Sequence, residues 1–174
     1  MYDLHSILIQ LKKEDTPLHG VMVRCVRCFY QWLDPTLLEG SALFELWEQE
    51  LELIYGDLHQ RLSPNAKTDA GFLGDRFGFD TPPELPRLLQ SIQTFYSVLI
   101  KFIAWNTLRG ATPEPPLTEL LSGRAFVNRG IRNFCGDDWY IWPLDIWDPA
   151  LETQCEELRA CLEAFDTCPE GSTL

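Results

Sequence analysis

Six cysteines, three histidines and an acidic cluster are the side chains of this 174-residue chain whose types could bind a metal or carry a nucleophile. Cys25-Val-Arg-Cys28 has the spacing of half a zinc site. Structural zinc takes four tetrahedral ligands, commonly from two tight pairs. Cys155, Cys161 and Cys168 lie six and seven residues apart, so no second pair answers the first. Cys25 and Cys28 also belong to the helically spaced apolar series Val21, Met22, Cys25, Cys28, Phe29, Trp32. Cysteine packs readily as a small hydrophobe, so core packing is the expectation for both. His5, His19 and His59 show no metal-ligand spacing.

Asp137, Asp138, Asp145 and Asp148 could offer oxygen ligands to a hard cation, but their spacing does not fit a calcium loop. Asp148 reads better as a helix N-cap, with Pro149 in the first turn. Trp139, Trp142 and Trp147 lie among these acids, either as a docking surface or as an apolar seam closing the core. No Gly-x-Ser-x-Gly elbow and no phosphate-cradling Gly-x-x-x-x-Gly-Lys occurs. A metal-dependent nuclease commonly has an acid two residues before a lysine. Those positions hold Gln10, Leu11, Asn65 and Leu99. The residues therefore name no catalytic, cofactor-binding or metal-ligating side chain.

The elements that would hold these residues are helical. Apolar positions recur at threes and fours over about 3–14, 18–33, 36–62 and 88–108. Shorter helical pieces follow near 117–121 and 123–134, and a last helix runs from 149 to about 165. The expectation is one all-α domain, an irregular multi-helix bundle around a hydrophobic central helix at about 88–108. A Gly/Pro-rich loop is expected at about 63–86 and a Trp/Asp-rich loop at about 135–148. On the central helix, Gln90, Gln93, Thr94, Ser97 and Lys101 read as a polar stripe opposite the apolar face. Lys101 is then either solvated or paired with an acid of the 137–148 loop.

Charge narrows the partners. Lys+Arg number 14 against 26 Asp+Glu, a net charge of -12. Tight nucleic-acid binding depends on cations that neutralise phosphates, so direct DNA binding is disfavoured. The hydrophobic share of 45% is too high for a disordered acidic tail. The segment Met1–Asp15 carries Asp3 and helically spaced leucines instead of a basic n-region and a continuous apolar run. A cytoplasmic location with reduced thiols is expected, without a membrane span.

Two stretches carry a resemblance. Thr94-Phe-Tyr-Ser-Val-Leu-Ile-Lys-Phe-Ile-Ala104 resembles the T-Y-Y-A-L-L-I-K-L-L-A helix ahead of the catalytic domain in large restriction-type N6-adenine DNA methyltransferases. Gly123-Arg-Ala-Phe126, Gly130-Ile-Arg-Asn-Phe134, Asp138 and Trp142-Pro-Leu-Asp-Ile-Trp-Asp148 are similar to the G-x-x-F, G-I-x-N-F, D-x-F-x-W-y-L-D-x-W pattern of the same proteins. With Leu46-Trp47 and Tyr55-Gly56, the resemblance covers about Phe44–Phe165. It implies an N-terminal helical accessory region of a restriction or phage-defence system, non-catalytic on its own. Its family-motif residues, candidates for interaction, are Lys101, Asn133, Phe134, Asp138, Trp139, Trp142, Asp145 and Trp147.

The family's [DNS]-P-P-[YFW] motif is absent: the Pro pairs here are Thr81-Pro-Pro-Glu84 and Glu114-Pro-Pro-Leu117. An enzyme that modifies a base must extrude and grip it. The resemblance therefore places S-adenosylmethionine only in a downstream catalytic domain. The implied partner is a methyltransferase catalytic domain or subunit, with DNA reached only indirectly. The alternative is a stand-alone acidic protein–protein interaction module.

Overall fold

The computed structural model describes residues 3–34, 44–49, 66–110, 112–135, 141–145 and 149–165, with the side chains of 66–70 and 109 left aside. Among these residues there is no strand, and the all-α expectation holds. The helices are α1 (Leu4–Lys12), α2 (Pro17–Trp32), α3 (Ala66–Arg76), α4 (Leu85–Arg109), α5 (Leu117–Leu121), α6 (Arg124–Val127) and α7 (Pro149–Glu163), with a 3-10 turn at Trp142–Leu144. Residues 44–49 are also helical. The remainder of the helix expected over 36–62 lies outside the described residues. The chain groups into two compact units, Val26–Thr94 and Met1–Cys25 with Phe95–Leu174.

Local chemistry explains the helix ends in the larger unit. Asp3 caps α1, its carboxylate accepting from the amides of His5 at 3.1 Å and Ser6 at 3.2 Å and from the Ser6 hydroxyl at 2.5 Å. These bonds, the Ser6 hydroxyl first, hold the Asp3 carboxyl below its ordinary range. A depressed folded value stabilises the fold above the unfolded value, and that contribution is lost as pH falls through the lowered one. The melting temperature should thus fall more steeply for wild type than for Asp3→Asn as pH drops below about 4. Parallel melting curves would show that the cap carries no pH dependence.

Thr16 caps α2 ahead of Pro17. Its hydroxyl accepts from the His19 amide at 3.2 Å and donates back to the Gln10 carbonyl at 2.7 Å, closing the elbow between α1 and α2. The core of this unit holds Ile7, Leu11, Leu18, Val21, Met22, Phe95, Leu99, Phe102, Phe126, Leu151 and Leu158. Cys25 and Cys155 are buried there too, and the Cys25 thiol donates to the Gln154 carbonyl at 3.8 Å. Core packing is what Cys25 does, while Cys28, in the other unit, is half-buried.

In the smaller unit, the segment expected to be a loop over 63–86 carries helix α3 instead. Gly71 and Gly74 each cost a helix interior about 1 kcal/mol, which is why the local pattern reads as a break. Tertiary packing reverses that preference. A Cβ on Gly74 would lie 2.7 Å from the Pro83 ring, so glycine lets the following turn fold tightly against the helix. Gly78, at φ +69°, ends α3 in a Schellman motif, with amide-to-carbonyl bonds from Phe79 to Gly74 at 2.9 Å and from Gly78 to Asp75 at 3.1 Å. Phe77 is buried and Phe79 meets the edge of Tyr30 at 4.8 Å, so these aromatics do pack down, whereas Phe72 is exposed.

The central helix α4 departs from expectation in part. Gln90, Thr94 and Lys101 are buried, at 1%, 0% and 2% exposure, while Tyr96 and Ile100 are exposed. Three residues of the expected polar stripe are thus interior while Gln93 and Ser97 are half-buried, and Leu88, Phe95, Leu99 and Phe102 of the apolar face are buried as expected. Hydroxyls on the buried side are satisfied within the helix: Ser91 donates to the Arg87 carbonyl at 2.7 Å and Thr94 to that of Gln90 at 2.9 Å. A polar residue whose hydrogen bonds are met inside can occupy an interior face that hydropathy assigns to solvent.

Candidate functional site

At the C-terminal half of α4 the borders of the two stretches come together. Lys101 extends to the end of α5 and donates to the main-chain carbonyl of Leu121 at 2.6 Å. The last carbonyls of a helix lack intrahelical donors and carry its negative dipole end. A buried ammonium is a fitting donor there. The solvated reading of Lys101 is therefore corrected: it is buried and donates to a carbonyl oxygen of the backbone. Asp145, the described acid of the 137–148 loop, is exposed; Asp137, Asp138 and Asp148 lie outside the described residues.

One turn after Lys101, Trp105 meets the edge of Phe126 with ring centroids 5.8 Å apart, and Phe126 packs on Phe134 at 4.6 Å. Arg129 lies over the Trp105 ring at 5.7 Å and donates to the Leu108 carbonyl and to Thr112. Two glycines make this return path possible. Gly123, at φ +78°, follows α5, and a Cβ there would stand 2.2 Å from the Phe134 carbonyl oxygen. Gly130, at φ +77°, ends α6 in a second Schellman motif, with amide-to-carbonyl bonds from Ile131 to Phe126 at 3.2 Å and from Gly130 to Val127 at 2.9 Å.

The candidate residues fare differently. Lys101 and Phe134 enter this cluster. Trp142 is buried at 4% exposure, which makes it core and not a docking surface. Asn133 and Asp145 are on the surface. Asp138, Trp139 and Trp147 lie outside the described residues. Arg129 and Trp105 are members that sequence reasoning missed, and Phe126 was quoted in a motif without being singled out as a candidate. Their partners are distant in the chain, and no local pattern marks a cation destined for a helix end.

That use of cations recurs. Within the smaller unit, Arg87 donates to the Tyr30 and Gln31 carbonyls at the end of α2, at 2.7 and 3.3 Å, with its guanidinium 4.1 Å above the Tyr30 ring. Arg27 donates to the Gly78 carbonyl beyond α3 at 2.8 Å. In the larger unit, Arg24 pairs with Glu157 at 2.7 Å and Arg159 with Glu114 at 3.1 Å. Six cations are thus engaged with helix ends or acids of the chain itself, which leaves its excess of carboxylates to dominate the field outside.

A surface pocket of about 430 Å³ runs along Glu114, Pro116, Glu152 and Arg159. Another, beside the α1–α2 elbow, is lined by Asp15, Gly20, Arg24 and Cys161. Burial pushes the Cys161 thiol above its ordinary value, so it is a poor nucleophile at neutral pH. Among the described residues no three His, Cys, Asp or Glu side chains converge as metal ligands would. The Lys101 cluster can hold and orient helices; it offers no paired nucleophile and base. No helix among the described residues is long and apolar enough to cross a membrane. No family model, curated protein or solved structure matches the chain.

Proposed function

We propose that the chain is the N-terminal helical accessory region of an N6-adenine DNA methyltransferase of a restriction or phage-defence system, working in the cytoplasm. It does no chemistry alone. S-adenosylmethionine and the target adenine belong to a catalytic domain or subunit that it positions, and DNA is reached through that partner. One observation supports the reading: the two stretches that resemble the family are tied at their borders, where Lys101 of the first reaches the Leu121 carbonyl two residues before the second, and Trp105, next after the first, meets Phe126 of the second. Side chains that tie helix ends together are what a scaffold requires.

The test is complementation. A methyltransferase catalytic part trimmed of its own helical N-terminus is assayed for adenine methylation with and without this chain. Methylation restored by the chain is the expected result, and methylation indifferent to it would overturn the proposal. A second reading, the stand-alone acidic interaction module, is favoured by the internal use of the cations described above. Sequencing the source DNA downstream of this frame separates the two. Continuation into an Asn- or Asp-Pro-Pro-aromatic motif supports the methyltransferase.

A further inference from the structure

We infer that the pocket beside the α1–α2 elbow binds a small aliphatic amine, with its ammonium on Asp15 and its apolar stem along the groove between α2 and α7. The pocket measures about 600 Å³, within the range of roughly 300–1,000 Å³ that ligand sites occupy. Pro17, Gly20 and Val21 of α2 form one wall, and Ala160 and Cys161 of α7 the other. Burial raises the Cys161 thiol, so it stays protonated and adds a soft, uncharged surface to the apolar wall.

Gly20 is the residue that packing does not explain. Inside a helix glycine costs about 0.5–1 kcal/mol relative to alanine. A Cβ on Gly20 would meet only the Arg24 guanidinium, at an ordinary 3.5 Å. The fold has room for alanine there and would gain helix stability from it. What glycine preserves is the bare wall of the pocket.

Charge sets the class of ligand. The charged side chains of the lining are Asp15, Arg24 and Glu157. Arg24 is taken by Glu157 at 2.7 Å and by Gln154 at 3.3 Å. Asp15 forms no ion pair among the described residues. It is exposed, at φ +64°, where the chain turns from α1 into α2. The free charge at the pocket is thus a carboxylate. An anion finds little to hold it at the start of α2. Pro17 has no amide hydrogen, the His19 amide donates to the Thr16 hydroxyl at 3.2 Å, and the Gly20 amide donates to the Thr16 carbonyl at 2.9 Å. The field of a chain with net charge -12 also attracts cations and repels anions. An ammonium on an aliphatic stem answers both the carboxylate and the apolar walls.

Titration of the full chain with n-hexylamine near neutral pH, followed by amide NMR shifts, tests this, with n-hexanol and hexanoate as matched probes. Saturable shifts are expected at Asp15, Gly20 and Cys161 with a dissociation constant on the order of 1 mM, weakening as salt is added. The alcohol and the carboxylate should each bind at least about threefold more weakly. Asp15→Asn keeps a side chain that tolerates the left-handed backbone, and should bring the amine down to the level of the alcohol. Gly20→Leu should fill the groove and abolish the shift at Cys161 with unchanged circular dichroism. No saturable shift at these amides overturns the inference, as does an alcohol or carboxylate that binds as tightly as the amine. Amine binding that Asp15→Asn leaves unchanged overturns it too.

Discussion

Replacing Gly123 by alanine should lower stability by about 3 kcal/mol, the largest effect expected of any single methyl group here. Two costs combine. A side chain at φ +78° adds about 1–2 kcal/mol of backbone strain. The new Cβ would also stand 2.2 Å from the Phe134 carbonyl oxygen and 2.5 Å from its carbonyl carbon. These are backbone atoms, so the 134–135 peptide must move and the Phe134 ring with it. Gly130→Ala is the internal control. It has nearly the same φ, +77°, with nothing within 4 Å of its Cβ, so about 1 kcal/mol of strain is all it should lose. For a chain of this length each kcal/mol corresponds to roughly 2–4 °C in melting temperature. Equal losses in the two variants would show that the Gly123–Phe134 approach carries no weight.

Lys101 is the second site of large effect. Lys101→Met keeps much of the apolar stem but removes the ammonium. The Leu121 carbonyl then loses its charged donor inside the protein, at a cost of about 1–3 kcal/mol. Lys101→Ala also opens a cavity, and its loss should exceed that of the methionine variant by about 2 kcal/mol. Arginine is no substitute, because its broad guanidinium does not fit a site packed around an ammonium. Urea unfolding ranks the variants, and amide exchange should rise first at α5. A methionine variant as stable as wild type would mean that the charge is incidental to the fold.

Much of the helical framework is legible in the chain itself, and the reasons are local. Proline before α5 and glycine after it bracket Leu117–Leu121 as expected, because the signals that start and stop a short helix lie within a few residues of it. The same holds for Thr16-Pro17 ahead of α2 and for Gly110, at φ +55°, after α4. The extent of α4 at Leu85–Arg109 differs from the expected 88–108 only by a turn at its start, since Pro86 is tolerated in the first turn of a helix. Helix α3 escaped detection for the complementary reason. Its glycines argue locally against a helix, and the close approach of Pro83 that makes Gly74 useful there lies several residues away.

The cluster around Lys101 divides along the same line. Its residue types and their order are properties of the sequence, as are the acidity of the chain and the helical period of α4. That Gln90, Thr94 and Lys101 of α4 are interior was settled only by tertiary structure. Hydropathy counts a lysine or glutamine as solvent-seeking, whereas folding weighs whether a partner waits inside. The end of α5 supplies that partner for Lys101, and the helix carbonyls supply it for Ser91 and Thr94. Helix ends are acceptors that no residue letter displays. They come into reach of Arg27, Arg87, Lys101 and Arg129 only after the chain has folded back on itself, across 20 or more residues in every case.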